Sequence, residues 1–137
     1  MVEVNYVAVL VAAVVGFVVG FVWYHPKVFG TMWMRLAGIT PAVAEAGKKN
    51  MMQSMVFGFV GTVITAYVLA HFVAVWGATD FMGAVQLGFW VWLGFQMPMH
   101  LGSVLWEQKS WNLFALNSAY WLVNTIVMAK VLVWMAM

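Results

Sequence analysis

Apolar residues fill four long stretches of this chain, and charged residues are confined to the breaks between them. No Asp, Glu, Lys or Arg lies between Glu3 and Lys27, between Lys49 and Asp80, between Asp80 and Glu107, or between Lys109 and Lys130. A helix needs roughly 20 predominantly apolar residues to cross the hydrocarbon core of a bilayer, and all four gaps meet that length. The pattern predicts an all-α fold: an integral membrane four-helix transmembrane bundle forming a single domain over 1–137, with spans near 4–24, 51–76, 81–106 and 111–134. Its first partner is the lipid bilayer.

The breaks are informative in their own right. Phe29–Ala37 reads as a short interfacial helix in the first cytoplasmic loop, with aromatic and Met side chains suited to the headgroup region. Gly38 is placed to end it. Thr40 and Pro41 then supply an N-cap and a first-turn proline for a new helix, which the pattern allows to continue through Lys48 and Lys49 into the second span. Gly77–Asp80 reads as a tight turn. Pro98, inside the third span, removes a backbone donor and frees the carbonyl of Gly94, so a kink is expected there.

Composition strengthens the membrane reading. The chain is 66% hydrophobic and 7% charged, where a soluble domain carries about 25% charged residues. The net charge of +2 is a loop effect with no basic patch, so nucleic acid is not an expected partner. Absence of cysteine excludes disulfides and thiolate metal sites. Lys27, Arg35, Lys48, Lys49 and Lys109 fall on one side of the bundle and Lys130 on the other. Positive loops stay cytoplasmic, so the expected arrangement is multi-pass in the inner (cytoplasmic) membrane with both termini outside. Trp23, Tyr24, Trp106 and Trp111 then fall at the inner interface, and Tyr6, Trp76 and Trp134 at the outer one.

Polar residues inside the spans are the candidates for function, because they are costly at membrane depth. On the third span Gln96, His100, Ser103 and Glu107 repeat at helical spacing and share one face. On the fourth, Asn117, Tyr120 and Asn124 do the same. Folding the hairpin about Lys109 brings His100 beside Asn117 and Gln96 between Tyr120 and Asn124. Two readings follow: a path or ligand site lined by these seven residues, or interhelical hydrogen bonding that holds the helices together. Glu107 also has the simpler option of an ion pair with Lys109, Lys27 or Arg35. A second polar pair, His71 with Gln86, is predicted across the Gly77–Asp80 turn. The three histidines fall at different depths and cannot share one metal, so no metal site is expected. Gly16 and Gly20 on the first span, and Gly58 and Gly61 on the second, form small-residue faces for close helix packing.

The run from Gly20 to Met34, with Trp23-Tyr24-His25-Pro26 followed by Phe29-Gly30 and Trp33-Met34, and the run from Leu105 to Val123 resemble the bacterial membrane family catalogued as "domain of unknown function 1761". Essentially the whole chain takes part in the resemblance. Trp23, Tyr24, Pro26, Phe29, Gly30, Glu107, Asn117 and Tyr120 match its motifs, and His25 stands where many members are expected to carry Ser. What the resemblance implies is a small multi-span bacterial membrane protein of unassigned activity, with no catalytic or transport residue.

Soluble catalytic motifs are missing: there is no phosphate-binding loop, His-Glu-x-x-His helix or nucleophile elbow. Neither an enzyme nor a cofactor is expected. The expected role is a structural or accessory subunit packing with other membrane helices, as a homo-oligomer or in a larger membrane complex. The alternative is an oligomeric transporter or channel for a small solute, ion or proton that uses the polar faces of the third and fourth spans.

Overall fold

The computed structural model describes residues 3–136; Met1, Val2 and Met137, which the single-domain reading includes, lie outside them. The described residues are helical almost throughout and contain no strand. Helix α1 (Tyr6–Trp23) begins at Asn5, whose side-chain oxygen accepts hydrogen bonds from the amides of Val7 and Ala8 at 3.0 and 3.2 Å. It ends at a π-helical turn, Pro26–Gly30, and α2 (Thr31–Ala37) follows. Gly38 closes α2 in the left-handed conformation, φ 75°, as a glycine at this position does without a Cβ penalty.

Helix α3 (Pro41–Gly47) opens on Thr40, whose hydroxyl caps the Val43 amide at 3.2 Å. A short 3₁₀ turn, Lys48–Asn50, joins it to α4 (Met51–Trp76), so helical structure continues from Pro41 to Trp76. Gly77, φ 76°, and the Asp80 side chain, which accepts from the Gly83 amide at 2.7 Å, make the reversal into α5 (Phe81–Val91).

The expected Pro98 kink takes a specific form. The helix widens into a π-helical segment, Trp92–Gln96, before resuming as α6 (Met97–Leu105). Proline lacks the amide that would continue the α ladder and its ring crowds the preceding turn, and a π segment is one of the standard ways to absorb that misfit. A turn with Gln108 at φ 61° leads to α7 (Trp111–Ala136), whose first turn is capped by the Ser110 hydroxyl.

Three helical runs are long and apolar enough to cross a membrane: Tyr6–Trp23, Pro41–Trp76 and Trp111–Ala136, of 18, 36 and 26 residues. The third expected span is divided by the π segment and is not one of them.

Helix α7 is the hub. It packs against α1 on one side and α5 on the other, and also touches α4 and α6, while α4 leans mainly on α1 and barely on α5. The α1 face against the hub is small: Ala8, Val9, Ala12, Ala13 and Gly16 are buried. From α7 it meets the buried face that includes Asn124, Met128 and Leu132. A Cβ on Gly16 would come within 2.8 Å of the Met128 sulfur, and one on Gly88 of α5 within 2.9 Å of the Ile126 Cα. Both crossings exist because a glycine lets the backbones approach.

The four glycines expected to serve packing divide. Gly16 and Gly20 pack against α7, the latter under the Tyr120 hydroxyl; Gly58 makes ordinary contact with Phe17, and Gly61 has nothing within 4 Å of a built Cβ. Gly61 is open because it lies on the exposed side of α4, while its neighbours Phe59 and Val63 pack against the core.

Candidate functional site

The polar residues of the third and fourth spans converge with the end of α1, though mostly with other partners than helix-face counting assigns. Gln96 accepts a hydrogen bond from the buried Thr125 hydroxyl at 2.7 Å, in place of lying between Tyr120 and Asn124. The π segment ending at Gln96 changes the stagger of the hairpin, since such a segment inserts residues without the usual advance along the axis. Trp92 donates its indole N–H to the Ser118 carbonyl at 2.8 Å, a second link between these helices.

His100 does not bond to Asn117. Its Nδ1–H donates to the Gln96 carbonyl of its own helix at 2.9 Å, and Ser103 donates in turn to the His100 carbonyl at 2.7 Å. A short polar side chain in apolar surroundings takes the nearest backbone acceptor, one turn back. His100 and Asn117 nevertheless line one pocket of about 500 Å³, together with Tyr24, Gly30, Trp33 and Trp121.

Asn117 instead accepts from the Tyr24 hydroxyl at 2.8 Å, which ties the end of α1 to α7. Seven residues on in α7, Asn124 donates to the Tyr120 hydroxyl at 3.0 Å. The Asn124 amide oxygen is buried without a hydrogen-bond partner and lies against Gly16. Ser118 Oγ and Trp23 Nε1 are likewise buried without a partner.

Glu107 stands apart, exposed in the α6–α7 turn. The ion pair formed among the described residues is Lys48 with Glu45 at 2.9 Å, so the expected pairing of Glu107 with Lys109, Lys27 or Arg35 is not made. His71 donates to the Tyr67 carbonyl at 2.9 Å and packs edge-on to the Tyr67 ring. No hydrogen bond joins it to Gln86, which is exposed on α5; each side chain looks to its own surroundings because α4 and α5 touch little beyond their shared turn.

The densest part of the site is aromatic. Tyr24 and Tyr120 meet in a T-shape with centroids 5.1 Å apart, Trp23 lies 4.7 Å from Phe29 and 6.1 Å from Tyr120, and Trp33 lies 5.8 Å from Tyr24. The π-helical turn underneath brings these rings together. Its Gly30 amide donates to the His25 carbonyl at 2.9 Å, and the Thr31 hydroxyl donates to the Pro26 carbonyl at 3.0 Å. A Cβ on Gly30 would collide with the Tyr24 carbonyl and lie 2.8 Å from the His25 carbonyl carbon, so glycine alone fits. Trp23, Tyr24, Pro26, Phe29, Gly30, Asn117 and Tyr120 thus form one clasp between the end of α1 and the middle of α7.

The family described as "Protein of unknown function (DUF1761)" matches residues 7–133, a range that takes in this clasp. The chain belongs to the DUF1761 family. Neither a curated protein nor a solved structure shows significant similarity. In this DUF1761 chain the clasp is a structural unit, held by two hydroxyl–amide hydrogen bonds, a ring cluster and a turn that a side chain at Gly30 would block.

Sequence reasoning missed Thr125 as the partner of Gln96, Trp92 as a cross-helix donor, Tyr24 as the partner of Asn117, and Gly88 as a close-packing position. Gly88 carried a usable signal, as a glycine one helical turn on from the apolar Ala84. Chemically, the site holds no nucleophile hydrogen-bonded to a base, and no group of three or more metal-ligating side chains occurs among the described residues.

Proposed function

We propose that this chain crosses the bacterial cytoplasmic membrane four times, with both termini outside, and serves as an accessory subunit that packs against other membrane helices without carrying out catalysis. The fourth crossing is the run from α5 through the π segment to α6, which is free of charged residues from Phe81 to Leu105. Short helix α2 lies at the inner interface in this reading, with Arg35 toward the headgroups.

One observation carries the accessory role: the outward face of that interrupted helix. Trp90, Gly94, Phe95, Pro98 and Met99 are all exposed, Phe95 at 64% and Met99 at 77%, and a Cβ on Gly94 would meet nothing within 4 Å. Irregular backbone at membrane depth is tolerated where protein covers it and avoided where lipid does. A helix widened by a π segment and broken by Pro98, with its glycine facing outward, calls for a neighbouring helix. The polar side chains point the same way, since Gln96, His100, Ser103, Tyr24 and Asn124 spend their hydrogen bonds on internal partners.

The test is a photoreactive side chain at Met99, with Leu10 on the exposed face of α1 as control, combined with the mass of the complex extracted in mild detergent. Protein adducts at Met99 but not at Leu10, in a species larger than one chain, are expected. A lone monomer with lipid adducts at both positions contradicts the reading.

A transport reading retains one favourable observation, the pocket of about 500 Å³ that His100 and Asn117 share. It requires proton or ion flux in proteoliposomes that falls when His100→Ala and Glu107→Gln are combined. The accessory reading expects no such flux from the unaltered protein.

A further inference from the structure

A cleft of about 880 Å³ lies away from the polar residues of α6, between the α1–α7 pair and α4. It opens because α4 is held at one end only. Toward Trp76 its residues Ala66, Leu69 and Val73 are buried, whereas Met51–Ser54 and Val56–Gly58 are exposed. In between, Phe17 is the contact, 5.5 Å from Phe59 in a T-shape. On either side of Phe59, Gly58 and Gly61 supply room where side chains would fill it.

The deep interior offers hydrocarbon little polar competition. Thr62 and Thr65, on the α4 wall, donate to the carbonyls of Gly58 and Gly61 at 2.9 and 3.1 Å. The Tyr24 and Tyr120 hydroxyls, on the opposite wall, are engaged with Asn117 and Asn124. Phe17, Phe21, Met55 and Trp121 add apolar lining, and the Ser54 hydroxyl lies one turn from Met51, toward the mouth. Along α4 the cleft runs from Met51 to Thr65. At 1.5 Å per residue that is about 21 Å, half the ~40–45 Å of a bilayer with its headgroups. One leaflet would fit its depth.

The mouth has the opposite character. His25, Pro26 and Met51 mark it, Lys27 follows Pro26, and Lys48 and Lys49 precede Met51 by three and two residues in the chain. Lys48 is paired with Glu45, which leaves Lys27 and Lys49 without a carboxylate partner among the described residues. Both lips of an apolar cleft therefore carry an uncompensated cation at the same end.

We propose that this cleft holds an acyl chain of an anionic phospholipid from the leaflet at its Lys27–Lys49 end, with the lipid phosphate at the cationic lips. The occupant follows from charge complementarity at the mouth, a dry interior and a depth of one leaflet. It rests on the membrane reading above but not on the accessory role. A juxtamembrane lysine contributes attraction to anionic lipid that corresponds to about fivefold in affinity each.

The chain is reconstituted in nanodiscs of equal parts phosphatidylglycerol and phosphatidylcholine, extracted gently and weighed by native mass spectrometry. One retained phosphatidylglycerol, several-fold favoured over phosphatidylcholine, is expected. Combining Lys27→Gln with Lys49→Gln removes that preference, so that the two lipids are retained about equally. Gly61→Leu, whose Cβ meets nothing within 4 Å, abolishes retention of either lipid without lowering the melting temperature in detergent. Equal retention of the two lipids by the unaltered protein, or retention that survives Gly61→Leu, overturns the proposal. So does efficient disulfide cross-linking between two copies carrying Gly58→Cys in this cysteine-free chain, which would give the cleft to a second copy. Recovery of the protein from the aqueous phase without detergent would remove the membrane reading itself, a failure distinct from unselective lipid binding after insertion.

Discussion

Helices α1 and α4 have much the same sequence character, long apolar runs with a pair of glycines facing one way, yet they behave differently in the fold. Against α7, the α1 glycines are met by side chains: Met128 and Asn124 over Gly16, Tyr120 over Gly20. On α4, Gly58 has only Phe17 at 3.8 Å and Gly61 has open space. A small-residue face is permission for close approach and does not produce it. What draws α1 onto the hub is the set of interactions at its end, where Tyr24 reaches Asn117 and the rings of Trp23, Phe29 and Tyr120 collect. In hydrocarbon the apolar faces of helices gain little from one another beyond shape, so such local links decide which faces close. Helix α4 has none at its Met51 end.

Substitutions can break that contrast or sharpen it. Gly30→Ala drives a Cβ into the backbone of Tyr24 and His25, so it should cost about 3 kcal/mol or more in detergent-denaturation measurements, with loss of the ring cluster. Gly88→Ala pushes α5 off the Ile126 backbone and should cost about 1–3 kcal/mol in the same assay. Gly61→Ala is expected to go the other way, stabilising by up to about 1 kcal/mol through helix propensity, because its Cβ meets nothing. If Gly61→Ala instead destabilises like Gly88→Ala, α4 is closed in the membrane and the contrast fails. The smallest effect is Tyr24→Phe, which removes the bond to Asn117 at about 0.6 kcal/mol. It should be measurable as additive with Gly88→Ala, since the two act on opposite sides of α7.

Much of the fold can be read directly from the chain, for reasons that are local. Gly38 and Gly77 sit where a left-handed residue ends a helix, Thr40 and Asp80 where a side-chain oxygen can cap one, and the gaps between charges mark the helical runs. The site is less legible because it depends on relations between helices. Helical periodicity puts Gln96, His100 and Ser103 on one face, but it does not tell how a π segment shifts the stagger that brings Gln96 to Thr125. Nor does it tell that His100 and Ser103 turn back on their own helix. The openness of Gly61 depends on which face of α4 its neighbours cover, which no single stretch of sequence encodes.

Everything above depends on how often the polypeptide crosses the bilayer, and the interrupted helix α5–α6 is the crossing most in question. With no native cysteine, the chain can carry one at a time at Asn5, Ala46, Thr79 and Gln108, each probed on intact cells with a membrane-impermeant thiol reagent. The account predicts labelling at Asn5→Cys and Thr79→Cys, and protection at Ala46→Cys and Gln108→Cys until the membrane is permeabilised. Thr79→Cys and Gln108→Cys reacting from the same side would contradict it.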